Sequence, residues 1–162
     1  MPNKLTLKVE QYGPVFSGSA TFIVLCVFKD ATLSHFVEHD LSIEALYSAV
    51  FDWASIQTGF LFGIFGFIAS KGDGFIGEIR NSMPMKHFIK YTKWAIYIGF
   101  ILTITSMPLI VLDKKAADID DTWFYIIALW FSMFVWAFLA FARTAYIFGV
   151  LVAVEDRHRI KG

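Results

Sequence analysis

Charge is scarce in this sequence, and so are cysteine and proline. Only 17% of the 162 residues are charged, the 14 Lys and Arg residues balance the 14 Asp and Glu residues, and one cysteine and four prolines are present. A chain with no net charge gives no electrostatic reason to bind nucleic acid. The lone cysteine, Cys26, excludes an intramolecular disulfide and the thiol pair that a disulfide-forming membrane protein needs.

Apolar residues take the place of the missing charge. The chain is 57% hydrophobic and 18% aromatic. A water-soluble domain of this size cannot bury so much apolar surface, whereas a bilayer accepts it on the outside of helices. We therefore predict an all-α membrane protein of a bacterial inner membrane, embedded in the lipid bilayer as a single transmembrane domain over residues 1–162.

Four segments are candidates for membrane-spanning helices, each of which needs about 20 mostly apolar residues. The first is the weakest, because small and polar residues dilute it; it crosses the bilayer, continues past Lys29 toward Val37, or lies in the interface. The longest connector, residues 70–93, contains Pro84, which is expected to interrupt regular structure. The predicted spans are residues 12–28, 41–69, 94–112 and 122–154, and the last is long enough to protrude from the membrane.

Basic residues cluster in the N-terminal segment, the connector 70–93 and the C-terminal tail, whereas the other connectors hold only Lys29, Lys114 and Lys115. Because cytoplasmic loops are enriched in Lys and Arg, this distribution predicts that both termini are cytoplasmic. A cytoplasmic regulatory protein or an anionic ligand would meet the basic residues on that side. The candidates are Lys71, Arg80, Lys86, Lys90, Lys93, Arg157, Arg159 and Lys161.

The second predicted span carries polar and small residues three or four positions apart, so that they share one face of a helix. Small residues let helices approach closely and polar residues avoid lipid, so this face either packs against another helix or lines water. We predict that it lines the pore of a homo-oligomer. Its residues are Glu44, Ser48, Asp52, Ser55, Gly59, Gly63 and Gly66.

Asp52 is the residue that favours a water-lined path. A carboxylate within the membrane costs several kcal/mol unless it faces protein or water. The alternative is an ion pair with Arg143 in the fourth span. In a symmetric oligomer, Glu44 and Asp52 would repeat around the axis as two stacked acidic rings, which attract cations. Gln57 adds a hydrogen-bonding group, although it lies off this face.

Other patterns carry less functional information. The aromatic residues of the fourth span are interpreted as lipid-facing bulk and interfacial belts. His35 and His39 are four residues apart, but two histidines without further ligands do not predict a metal site. No catalytic constellation is present, so we predict no enzymatic activity and no cofactor.

The architecture resembles the small four-helix membrane effectors of bacterial antiphage defence operons, such as the membrane subunit of Hailong systems and, less closely, that of Kiwa systems. Four spans, basic cytoplasmic connectors and one span with Glu44, Asp52, Gly59 and Gly63 carry the resemblance. It implies a homo-oligomer, for which we expect a tetramer, that conducts ions and stays closed until infection. Small multidrug transporters also have four spans, but their membrane carboxylate lies in the first span. In this sequence it lies in the second, which counts against that family.

We therefore expect an oligomeric, cation-permeable channel that acts in antiphage defence. Two other functions remain open on the sequence alone. One is a non-conducting membrane sensor or scaffold for a cytoplasmic partner, acting through the long fourth helix. The other is a proton-coupled small transporter that uses Asp52.

Overall fold

The computed structural model describes residues 4–39, 42–70, 81–112 and 118–159, and the side chains of residues 12–39, 42–70, 81–112 and 118–153. The described residues form helices and contain no strand, which confirms the predicted all-α class. The helices are α1 (Lys4–Val27), α2 (Lys29–Glu38), α3 (Ile43–Ser70), α4 (Met83–Val111) and α5 (Asp121–Arg159).

Three of the described helices are long and apolar enough to cross a membrane: α3, α4 and the part of α5 from Asp121 to Ala153. The first predicted span differs. It is long and apolar enough to cross a membrane only if two helical segments are taken together, Tyr12–Val27 and Lys29–Glu38, and the angle between them is 77°. The helix therefore does not continue straight toward Val37. With 39 residues, α5 is about 58 Å long, which exceeds the roughly 30 Å hydrocarbon core.

The helix that contains the third predicted span, α4, begins earlier than the sequence indicated. We expected a span from Trp94 and a connector over residues 70–93, but α4 begins at Met83. Ser82 caps it by accepting a hydrogen bond from the Met85 N–H, and Pro84 lies in the first turn, where the missing N–H is not needed. Pro84 thus starts a helix instead of interrupting one, and the second half of the predicted connector is helical.

The helices pack in the order α3, α4, α5, α1. α3 lies along α4, α4 lies along α5, and α1 packs mainly against α5. Glycines mark two close crossings: a Cβ on Gly99 would lie 2.6 Å from Thr58 Oγ1, and a Cβ on Gly18 would lie 2.9 Å from the Ser132 carbonyl oxygen. The absence of a side chain lets the backbones approach, as is common between membrane helices.

Aromatic residues of α5 pack inside the chain more than we expected. Trp130 is only 3% exposed; its indole N–H donates to Ser106 Oγ at 2.9 Å, and its ring meets Tyr47 edge-on. Phe134 and Phe138 contact Trp53 on α3. The lipid-facing interpretation is therefore wrong for Trp130 and Phe124, which are buried, whereas Tyr125 and Phe138 are 45% and 46% exposed. The ring of Phe134 meets Trp53 edge-to-face and that of Phe138 meets it at a tilt of 35°, so these aromatic contacts join α3 to α5.

Candidate functional site

The predicted pore-lining residues lie on one face of α3, which we call the α3 polar face: Glu44, Ser48, Asp52, Ser55, Gly59, Gly63 and Gly66. The two carboxylates and the three glycines are exposed, and the two serines are half-buried. A Cβ placed on Gly59, Gly63 or Gly66 would meet nothing within 4 Å. Among the described residues, these glycines therefore pack against no neighbouring helix.

The opposite side of α3 is buried in the interior of the chain. Its buried residues, among them Tyr47, Ala54, Leu61 and Ile68, lie opposite the α3 polar face and form the core with α4 and α5. Aromatic residues recur at every seventh position of α3, and each contacts a ring on α5. The pairs are Trp53 with Phe138, Phe60 with Phe141 and Phe67 with Phe148, at centroid distances of 5.3, 5.9 and 5.9 Å. The α3 polar face is thus the side of α3 that its neighbours in the chain leave open.

Depth along α3 separates the two carboxylates. Glu44 lies in the first turn, whereas Asp52 lies nine residues into a helix that begins at Ile43, about 13 Å along its axis. A charge this far into an apolar helix is expensive against lipid, whereas one at the helix end is cheap. Asp52 therefore requires water or another protein surface beside it.

Other polar groups of α3 are accounted for locally. Ser55 donates its hydroxyl proton to the Phe51 carbonyl at 2.8 Å, as serine commonly does inside a helix. Gln57 is only 2% exposed and lies at the α3–α4 crossing beside Gly99. Its amide finds no hydrogen-bond partner within the described part of the chain. Gln57 thus belongs to the interior and not to the α3 polar face.

The structure does not bring Asp52 and Arg143 together within one chain. Arg143 lies between Phe141 and Phe148, which contact Phe60 and Phe67, so it is level with the C-terminal half of α3. Asp52 precedes Phe60 by eight residues, about 12 Å of helix. The Arg143 guanidinium instead lies over the Tyr91 ring, 4.1 Å from its centroid. This favourable cation–π position holds Arg143 against α4.

The predicted regulator-facing residues fall into three groups. Lys86, Lys90 and Lys93 are exposed on the first turns of α4, and Lys93 Nζ lies 5.6 Å from the centroid of the Phe65 ring. Arg157 and Arg159 belong to the last turns of α5, whose side chains are not described. Lys71, Arg80 and Lys161 lie outside the described residues. The three lysines on α4 therefore form the part of this surface that is defined.

One contact was missed by sequence reasoning. Lys29, at the bend between α1 and α2, forms an ion pair with Asp121 in the first turn of α5 and lies near the rings of Phe124 and Tyr125. The hydrogen bond to Asp121 raises the pKa of Lys29 above its ordinary value of 10.5. The lysine remains charged at neutral pH and ties the end of α1 to α5. A separation of 92 residues gave no local signal for this pair.

The two histidines of α2 contact each other, with ring centroids 4.2 Å apart, and His39 Nδ1 lies 3.0 Å from the His35 carbonyl oxygen. Among the described residues, no group of three or more His, Cys, Asp or Glu side chains is placed to hold a metal ion.

Comparison of the chain with protein families, curated proteins and solved structures gives no match. Function is therefore inferred from the residues of this chain and their geometry.

Proposed function

We propose that the protein is an oligomeric, cation-permeable channel in which the α3 polar face lines the pore. The observation that carries this proposal is the open position of Asp52 together with Gly59, Gly63 and Gly66 on a helix able to span a membrane. A carboxylate at that depth is not stable against lipid, and no helix within the described part of the chain covers it. In an oligomer, copies of the α3 polar face around a central axis would place both neighbouring subunits and the water of the pore beside Asp52.

Symmetry converts single side chains into rings. Glu44 would form an outer acidic ring and Asp52 a second ring about 12 Å further in, eight residues along the helix. Rings of carboxylates attract cations and repel anions. The glycine segment from Gly59 to Gly66 lets the subunits approach most closely, so we place the constriction and the gate there.

We place this channel in a bacterial inner membrane with four spans and both termini in the cytoplasm. α1 is the additional span that brings the number to four, because it packs along α5 from Gly18 to the Lys29–Asp121 pair. The architectural resemblance implies a homo-oligomeric effector of antiphage defence, for which we expect a tetramer. In that role, a cytoplasmic partner or an anionic ligand would act on Lys86, Lys90 and Lys93, at the end of α4 adjoining the cytoplasm.

Cysteine accessibility tests the pore-lining role. Cys26 is replaced by Ala, and single cysteines are introduced in place of Ser48 or Ser55 on the α3 polar face. Ile104, an exposed residue of α4 with 50% exposure, supplies the lipid-facing control Ile104→Cys. A positively charged, water-soluble thiol reagent is added from the outer side of proteoliposomes. Both positions on α3 should react rapidly even in a closed channel, because they precede the glycine segment.

Cation flux is measured in the same proteoliposomes. We expect modification of Ser55→Cys to reduce flux severalfold and Ile104→Cys to react slowly without effect. Equal, slow labelling at all three positions would contradict a water-lined α3 polar face. Rapid labelling of an assembled oligomer that never conducts would favour the non-conducting sensor over the channel.

A further inference from the structure

The short helix α2 ends in two exposed histidines. None of the side chains of α2 is buried, and His35 and His39 are exposed at its C-terminal end. They are four residues apart, so they lie one turn apart on the same face, and their ring centroids are 4.2 Å apart. Two histidines of one helix bind a metal ion at this spacing in known zinc motifs. We call these two residues the α2 histidine pair.

The hydrogen bond of His39 determines which of its ring nitrogens is free. Nδ1 lies 3.0 Å from the His35 carbonyl oxygen, which can only accept a hydrogen bond, so Nδ1 carries the proton. In a neutral imidazole the other nitrogen, Nε2, then has a free lone pair. Metal-binding histidines commonly donate their second ring nitrogen to a backbone carbonyl in this way, which fixes the orientation of the ring. His39 is therefore already arranged as a metal ligand.

The surroundings of the pair favour a cation. The rings lie in the last turn of α2, where the carbonyl oxygens of the helix end carry partial negative charge. Glu38 is exposed in the same turn and adds a carboxylate three residues after His35. Lys29 lies in the first turn of α2, at the opposite end, and is paired with Asp121. The lysine of α2 thus does not compete with a cation at the histidines.

We propose that the α2 histidine pair binds one divalent metal ion that prefers imidazole ligands, such as Zn²⁺, in each chain. Two bonds of about 2.0–2.1 Å at a tetrahedral angle need nitrogens about 3.3 Å apart, which exposed rings already in contact reach by rotating their side chains. Water completes the coordination, since no third ligand side chain among the described residues is placed beside the pair. The spacing alone did not predict this site; the ring contact and the Nδ1 hydrogen bond carry it.

Isothermal titration calorimetry with Zn²⁺ tests the site in the purified, untagged full-length protein. We expect one Zn²⁺ per chain, and an affinity weaker by about tenfold or more in His35→Ala and in His39→Ala, because each variant lacks one of the two ligands. His87→Ala is the matched control, since His87 is an exposed histidine of α4 that contacts the ring of Tyr91. This control should bind Zn²⁺ as the unmodified protein does.

A second variant separates the spacing of the histidines from their number. Val37→His combined with His39→Val keeps two histidines on α2 but places them two residues apart, where they do not face each other. Val37 is 50% exposed, so the helix accepts a polar side chain there. We expect this variant to bind Zn²⁺ as weakly as His39→Ala does, while circular dichroism shows unchanged helix content.

Zn²⁺ affinity equal to that of the unmodified protein in this double variant would overturn the proposal. A stoichiometry of one Zn²⁺ per two chains would also overturn it, because the metal would then join histidines of different subunits. With Cu²⁺ as the probe, electron paramagnetic resonance should show coupling to two imidazole nitrogens in the unmodified protein and to one in His39→Ala. Coupling to the same number of nitrogens in both would assign the metal to other ligands and contradict the proposal.

Discussion

The α1–α5 contact and the α3 polar face both place glycine and polar residues on membrane helices, yet one is closed and the other open. At the first, a Cβ on Gly18 would lie 2.9 Å from the Ser132 carbonyl oxygen and 3.0 Å from Trp136 Cβ. At the second, a Cβ on Gly63 would meet nothing within 4 Å. Small residues therefore have two uses here, and only the first is completed within one chain.

Charge follows the same division. The cation of Lys29 at the end of the α1–α5 contact is paired with Asp121, whereas Asp52 on the α3 polar face is exposed within a helix able to span a membrane. The α1–α5 contact thus stabilises the subunit. The α3 polar face requires something outside it, and a second copy with water is the occupant that we propose.

Gly18→Ala should have the largest effect on the folded subunit. The added methyl group must displace a backbone oxygen or push α1 away from α5, and such overpacking costs about 1–3 kcal/mol. The melting temperature in detergent reports the loss. Gly13→Ala is the control on the same helix, because a Cβ there meets nothing within 4 Å. Equal melting temperatures for the two variants would show that the α1–α5 contact is not closely packed.

The helical class and most of the spans were predictable, because long apolar runs determine them locally. The start of α4 was not, since hydropathy falls around Lys86 and Lys90 although Ser82 and Pro84 supply the signal of a helix start. The periodicity of α3 grouped the residues of the α3 polar face correctly. It did not indicate which neighbour, if any, covers them, because helix spacing contains no information about distant segments.

The Lys29–Asp121 ion pair should contribute less than Gly18. Asp121 is 82% exposed, so solvent and salt screen the interaction. We expect Lys29→Met to lower the melting temperature slightly in low salt and hardly at all in high salt. Because the pKa of Lys29 is raised above 10.5, its contribution is complete at neutral pH and is lost only as the pH rises through the raised pKa.

Asp118→Asn serves as the control for this ion pair, since Asp118 is exposed near the start of α5 and is not paired with Lys29. A loss in Lys29→Met that is the same in low and high salt would mean that the lysine acts through its packing against Phe124 and Tyr125. The bend between α1 and α2 would then be held by apolar contact.

Gly63→Ala should have the smallest effect on the subunit itself. The new methyl group meets no atom of the described residues within 4 Å, and alanine favours the helix more than glycine does. The melting temperature of dissociated subunits should stay the same or rise. The oligomer should dissociate more readily, as light scattering or native mass spectrometry would report, whereas Gly149→Ala on α5 should leave assembly unchanged. Intact assembly in both variants would remove the glycines from the subunit interface.

The most direct test of the central claim is single-channel recording of the purified oligomer in a planar bilayer, beside the variant Asp52→Asn. We predict cation-selective currents from the unmodified protein and their loss in the variant, whose oligomer is otherwise the same size. Unchanged currents in Asp52→Asn, or silence of the assembled unmodified oligomer at all applied voltages, would contradict a cation pore lined by the α3 polar face.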